Sequence, residues 1–190
     1  MNSLIEKIKL LILKPKEAWE SISNESVTTQ DILKKYLILA LCIPAAATFI
    51  GRWIIGIRIP FYGVYRLTFG ASLFTAVLEY ALILLGIWGM GKVIQFLAEK
   101  FESSTSEVNA YKLVVFSFLP YLAAGVIYLI PSLGTLVALM GLYCIYLFYV
   151  GIPVIMNTPE EKVLPFSITI ILSVLVIYFI ISVLLFTILY

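Results

Sequence analysis

The sequence predicts an all-α fold, a polytopic membrane helix bundle with five transmembrane helices and a short amphipathic N-terminal region, and three observations carry that prediction. Hydrophobic residues fill 62% of the 190 positions. Charged residues fill 13%, against about 25% in a typical soluble domain. Five separate segments reach the roughly 20 apolar residues that cross a hydrocarbon core of about 30 Å.

Composition also removes several functions. Thirteen Lys and Arg against eleven Asp and Glu leave a net charge of +2, too little for the basic field of a nucleic-acid binder, so no nucleic acid is expected as a partner. The chain has no histidine, which takes away the commonest general base and metal ligand and excludes Ser-His and Cys-His catalysis. Cys42 and Cys144 each stand alone in an apolar run and read as packed, reduced thiols. No enzyme activity, cofactor or metal is expected.

Residues 1–35 form the first region. Their longest apolar stretch, Leu10 to Leu13, falls short of the 7–15-residue core of a signal peptide, so this segment is expected to stay on the chain. Leu4, Ile5, Ile8, Leu11 and Ile12 fall at helical spacing while Glu6, Lys7, Lys9 and Lys14 take the other face. That pattern suits a cytoplasmic helix lying on the membrane surface, where it anchors the first span or docks a partner. Pro15 opens a second short helix, Lys16 to Ile22, with Trp19 expected at the lipid–water interface.

Residues 36–190 carry the spans. The first runs from Tyr36 to Ile57, behind a Thr28 to Asp31 segment with capping-box spacing. The second runs from Gly70 to Gly91. The third covers Tyr111 to Ile130, after a loop in which Ser104 and Glu107 again have capping-box spacing. Pro131-Ser132 is too short a link to allow anything but an antiparallel hairpin with the fourth span, Leu133 to Met156. The fifth begins beyond Pro165 and runs to the end of the chain. Pro44, Pro120 and Pro153 are expected to break spans locally. On alternate sides of the membrane, ten Lys or Arg face three, the three being Arg52, Arg58 and Arg66. That asymmetry predicts a multi-pass protein of the cell membrane with its N-terminus in the cytoplasm and its C-terminus outside.

Ten of the eleven acids fall on the N-terminal side; the exception is Glu79, inside the second span. A charge there costs about 2.5 kcal/mol or more, so Glu79 should face the bundle or a wet cavity. Ser72, Thr75, Ala76, Gly86 and Gly89 share its side of the helix. Glu79 therefore reads either as an ion, proton or ligand site or gate, or as a hydrogen-bonded packing contact with a Tyr, Ser or Thr. On the packing reading, Glu79→Gln changes stability by no more than about 1 kcal/mol. In the fourth span Gly134, Ala138 and Gly141, with Tyr143, Tyr146 and Tyr149, suggest close helix packing or an aromatic groove for a lipid.

The run Leu142-Tyr143-Cys144-Ile145-Tyr146-Leu147-Phe148-Tyr149-Val150-Gly151-Ile152-Pro153, the Asn157-Thr158-Pro159-Glu160-Glu161-Lys162 loop, Lys14-Pro15-Lys16-Glu17-Ala18-Trp19 and Ser106 to Lys112 resemble the Yip (Ypt-interacting protein) domain family over nearly the whole chain. The resemblance implies a five-span bundle with a cytosolic N-terminus. Eukaryotic relatives partner Rab-type GTPases. This chain has a short N-terminal segment and lacks the Asp-Leu-Tyr-Gly-Pro motif of that branch, which counts against GTPase binding and makes it similar to prokaryotic members, whose molecular activity is not established. The sequence thus points to a non-enzymatic membrane protein that organises membrane lipids, copies of itself or other membrane proteins. The alternative is a small transporter, channel or lipid-handling protein using Glu79.

Overall fold

The chain enters its first helix through a reciprocal cap between Ser3 and Glu6. Ser3 Oγ accepts from Glu6 N at 3.3 Å, and Glu6 Oε2 accepts from Ser3 N at 2.9 Å. Two amides left free at a helix start are thereby satisfied. Helix α1 (Leu4–Leu13) follows, and Pro15, whose missing N–H costs nothing at a first helical position, opens α2 (Pro15–Ser23). The structure is a computed structural model that describes residues 3–59 and 61–189; Met1, Asn2, Pro60 and Tyr190, with which the expected fifth span closed, lie outside the described residues.

Five helices are long and apolar enough to cross a membrane: α3 (Thr29–Ile55), α4 (Phe69–Phe101), α5 (Glu107–Leu129), α6 (Pro131–Met156) and α7 (Glu160–Leu189). The shortest, α5 with 23 residues, measures about 35 Å at 1.5 Å per residue. The Thr28 cap is present, with Thr28 Oγ1 accepting from Asp31 N at 3.1 Å, and it starts α3 at Thr29 rather than at Tyr36. The second expected capping box does not form. Ser106 is the N-cap of α5, without a side-chain bond, and Ser104 Oγ instead accepts from Asn109 Nδ2 at 3.2 Å. Helix α7 begins at Glu160, so Pro165 sits in its second turn rather than ahead of it.

Helical structure runs through Pro44, Pro120 and Pro153. The irregular turns lie elsewhere: Leu33–Leu37 and Gly51–Ile55 of α3 are π-helical, and Gly125–Leu129 of α5 is 3₁₀. A short antiparallel hairpin, β1 (Ile57–Ile59) and β2 (Gly63–Tyr65), links α3 to α4, with Arg58 opposite Val64. Gly56, at φ +85°, makes the turn into it.

Helix α5 is the centre of the bundle: 56% of its apolar window is buried, against 6% for α7, which faces outward. It pairs antiparallel with α6, as the two-residue link requires, through Phe118 and Phe148 with ring centroids 5.8 Å apart. The N-terminal helices dock on this pair, α1 on α5 and α2 on α6. Trp19 is therefore not an interfacial residue: it is fully buried, and a Cβ on Gly151 would lie 2.7 Å from its ring. Lys7, expected on the polar face of α1, is buried as well. The thiol of Cys42 likewise departs from the packed position expected for it, since the residue is exposed; Cys144 is buried, and both are free.

Candidate functional site

Glu79 lies in the third turn of α4, on a face shared with Ser72, Thr75 and Ala76, all buried. The facing helix α3 carries Arg52 near its end. The two side chains meet at 2.7 Å between Arg52 Nη2 and Glu79 Oε1, with only about a quarter of each exposed. The partner is thus not the hydroxyl that the sequence suggested but a full cation, one that the charge count assigns to the side of the membrane opposite the N-terminus. Two opposite charges in contact lower the cost of holding either among apolar helices. The Ser72 hydroxyl, about two turns back along the same face, is fully buried and has no hydrogen-bond partner among the described residues.

A second polar cluster ties the N-terminal helices to the bundle. The Lys7 ammonium pairs with Glu25 and stands 4.9 Å from the Tyr36 ring centroid and 4.8 Å from that of Phe116. Such cation–π contacts strengthen when desolvated. Lys112, also buried, donates to the carbonyls of Ser23 at 3.2 Å and Glu25 at 2.7 Å, capping the end of α2. Nothing local in the sequence betrays this cluster, because its members are far apart in the chain, Lys112 lying 89 residues from Ser23.

The α6 residues singled out by spacing divide between two surroundings. Tyr143 turns inward, its hydroxyl donating to the Leu11 carbonyl at 2.8 Å with the Ile12 carbonyl 3.1 Å away, so it caps the end of α1. Gly134 lies under the Tyr128 ring, which an added Cβ would meet at 3.2 Å. Ala138, Tyr146 and Tyr149 are exposed, and a Cβ on Gly141 would meet nothing within 4 Å. The outward residues of this helix present a surface rather than a groove. Two apolar grooves run instead between α3 and α4, one of about 440 Å³ lined by Leu33, Lys34, Ile38, Leu84, Leu85 and Trp88, and one of about 250 Å³ around Ala45, Phe49, Leu73 and Tyr80. Among the described residues no three His, Cys, Asp or Glu side chains come together as metal ligands.

Comparison with known proteins gives consistent findings. A profile of the Yip1 domain matches residues 9–184. The chain is 30% identical over 161 residues to the inner membrane protein YohC of Escherichia coli K12, covering 83% of this chain and 82% of that one. The same figures hold for YohC of Escherichia coli strain CFT073. No solved structure matches.

Proposed function

The chain belongs to the Yip1 domain family of membrane proteins, and from that premise we propose that it is a non-enzymatic protein that organises partner membrane proteins, or copies of itself, around a five-helix bundle with residues 1–35 docked on its cytoplasmic side. The observation that supports this reading over transport is the Arg52–Glu79 contact at 2.7 Å. A carboxylate already matched by a cation clamps α3 to α4 and has no charge left to compensate for a passing ion, whereas a relay needs several acids in a chain. The outward face of α6 is the natural contact surface: Leu142 is 65% exposed, Gly141 lets another helix approach its backbone, and Tyr146 and Tyr149 flank it.

A photo-crosslinking amino acid at Leu142, activated in native membranes, is expected to give a discrete protein adduct of one mass. The same probe at Phe179 on α7 serves as the lipid-facing control. Lipid adducts alone at Leu142 would remove the support for an organising role. In reconstituted vesicles, a cation or proton flux that disappears in Glu79→Gln would turn the choice to transport.

A further inference from the structure

Helices α3 and α4 do not close against each other along their outer seam. Ile38, Ala45 and Phe49 share one face of α3, and Leu73, Tyr80 and Leu84 share one face of α4 at helical spacing, so the two grooves between these helices are stretches of a single seam. Between them the Tyr80 hydroxyl reaches the Ile38 carbonyl at 3.4 Å. From Leu33 to Phe49 the seam is about 24 Å long at 1.5 Å per residue, long enough for an extended acyl chain. Its walls are apolar apart from the Tyr80 hydroxyl and the Gln30–Lys34 end, and its side is open.

Charge appears at one end alone. Lys34 and Gln30 stand at the mouth of the larger groove, opposite Trp88, whose half-exposed indole is of the type that sits at headgroup level. The neighbouring lysines are engaged: Lys35 with Asp31 at 2.7 Å, Lys92 with Glu107 at 2.9 Å, and Lys7 with Glu25. Lys34 has no acidic partner among the described residues. It is carried on the π-helical turn Leu33–Leu37, a widened turn frequent at binding sites.

We propose that this seam seats one anionic phospholipid, its phosphate held by Lys34 and the Gln30 amide and an acyl chain laid along Ile38, Leu84 and Leu85. The apolar length excludes a free phosphate as the fitting occupant. A zwitterionic headgroup would bring its own cation up against Lys34, whereas a phosphatidylglycerol-type headgroup supplies the missing negative charge. The site is independent of the Arg52–Glu79 clamp and of the α6 surface.

Quenching of Trp88 tests it. The full chain is placed in phosphatidylcholine vesicles doped, at one mole fraction, with dibrominated phosphatidylglycerol or dibrominated phosphatidylcholine, and the Trp88 signal is taken as the difference between wild type and Trp88→Phe. Enrichment of the anionic lipid by about fivefold is expected, the equivalent of about 1 kcal/mol for one lysine at a charged leaflet. Lys34→Ala should bring the two lipids to equal quenching, Lys34→Arg should keep the excess, and Lys9→Ala, an exposed change on α1, should leave it unaltered. Narrowing the seam by Ile38→Phe should lower the excess. Equal quenching by both lipids in the wild type, an excess that survives Lys34→Ala, or one indifferent to Ile38→Phe would overturn the proposal.

Discussion

At the scale of single residues, the fate of Glu79 turns on what lies across from it. With Arg52 as its partner, Glu79→Gln leaves a guanidinium facing a neutral amide among apolar helices. The expected loss is about 2 kcal/mol, between the values for surface and fully buried ion pairs. Arg52→Gln should cost a similar amount, and the double substitution less than the sum of the two, since it removes both charges together. A denaturation cycle in detergent micelles measures this; strictly additive losses would mean that the two groups do not interact. Glu79 was legible in the sequence because an acid in an apolar run is conspicuous. Arg52 was not, because charge counting assigns a cation at a helix end to the aqueous side, while its long arm reaches back along the helix. Lys7 and Lys112 escaped for the same reason, being long side chains whose partners lie elsewhere in the chain.

At the scale of helices, two glycines of α6 separate packing within the chain from packing beyond it. Gly151→Ala drives a methyl group into Trp19 and the Leu113 side chain. Overpacking of this kind costs about 1–3 kcal/mol, so α2 should loosen and become open to limited proteolysis near Glu20. Gly141→Ala meets only open space and should leave the stability of the isolated chain unchanged. Equal protease resistance of the Gly151→Ala protein would show that α2 is not held by that contact. The five spans, the Thr28 cap and the short hairpin link were legible, because each is set by local spacing. The helix ends were not, since α3 starts at Thr29, α4 runs on past Gly91 to Phe101 and α7 starts at Glu160, where helix continues beyond the apolar run. The destination of α1 and α2 was not: an apolar stripe matches a lipid surface and a protein surface equally well. Here only part of the stripe faces α5: Leu11 is fully buried, while Ile5 and Ile12 remain exposed.

At the scale of the whole molecule, the charge asymmetry predicts the orientation, and the structure indicates where to test it. Ser103 is a poor probe position, since its hydroxyl is buried against Thr158 at 2.8 Å. A cysteine at exposed Lys100, in a Cys42→Ser background, should react with a membrane-impermeant maleimide only when the cytoplasmic face is open. Labelling of intact cells would reverse the topology. Five spans and one antiparallel hairpin could be read in advance from length and links alone. Which helix is central could not be read that way, yet a signal was available. Helix α7 is the most apolar of the five and the least buried, while the more polar α5 is enclosed. In a bilayer the oiliest helix loses nothing by facing lipid, and small or polar groups gain by facing one another.

The docking of α1 and α2 has a consequence for biosynthesis. Lys112 caps the end of α2 from 89 residues downstream, and Tyr143 caps the end of α1 from 132 residues downstream. At about 5–20 residues per second, the ribosome delivers those caps roughly 5–25 s after the two helices have emerged. During that interval the apolar stripe of α1 needs a temporary host, and the nearest one is the membrane surface at the insertion site. Until those caps arrive the apolar stripe of α1 is expected to rest on the membrane surface, and only afterwards against α5.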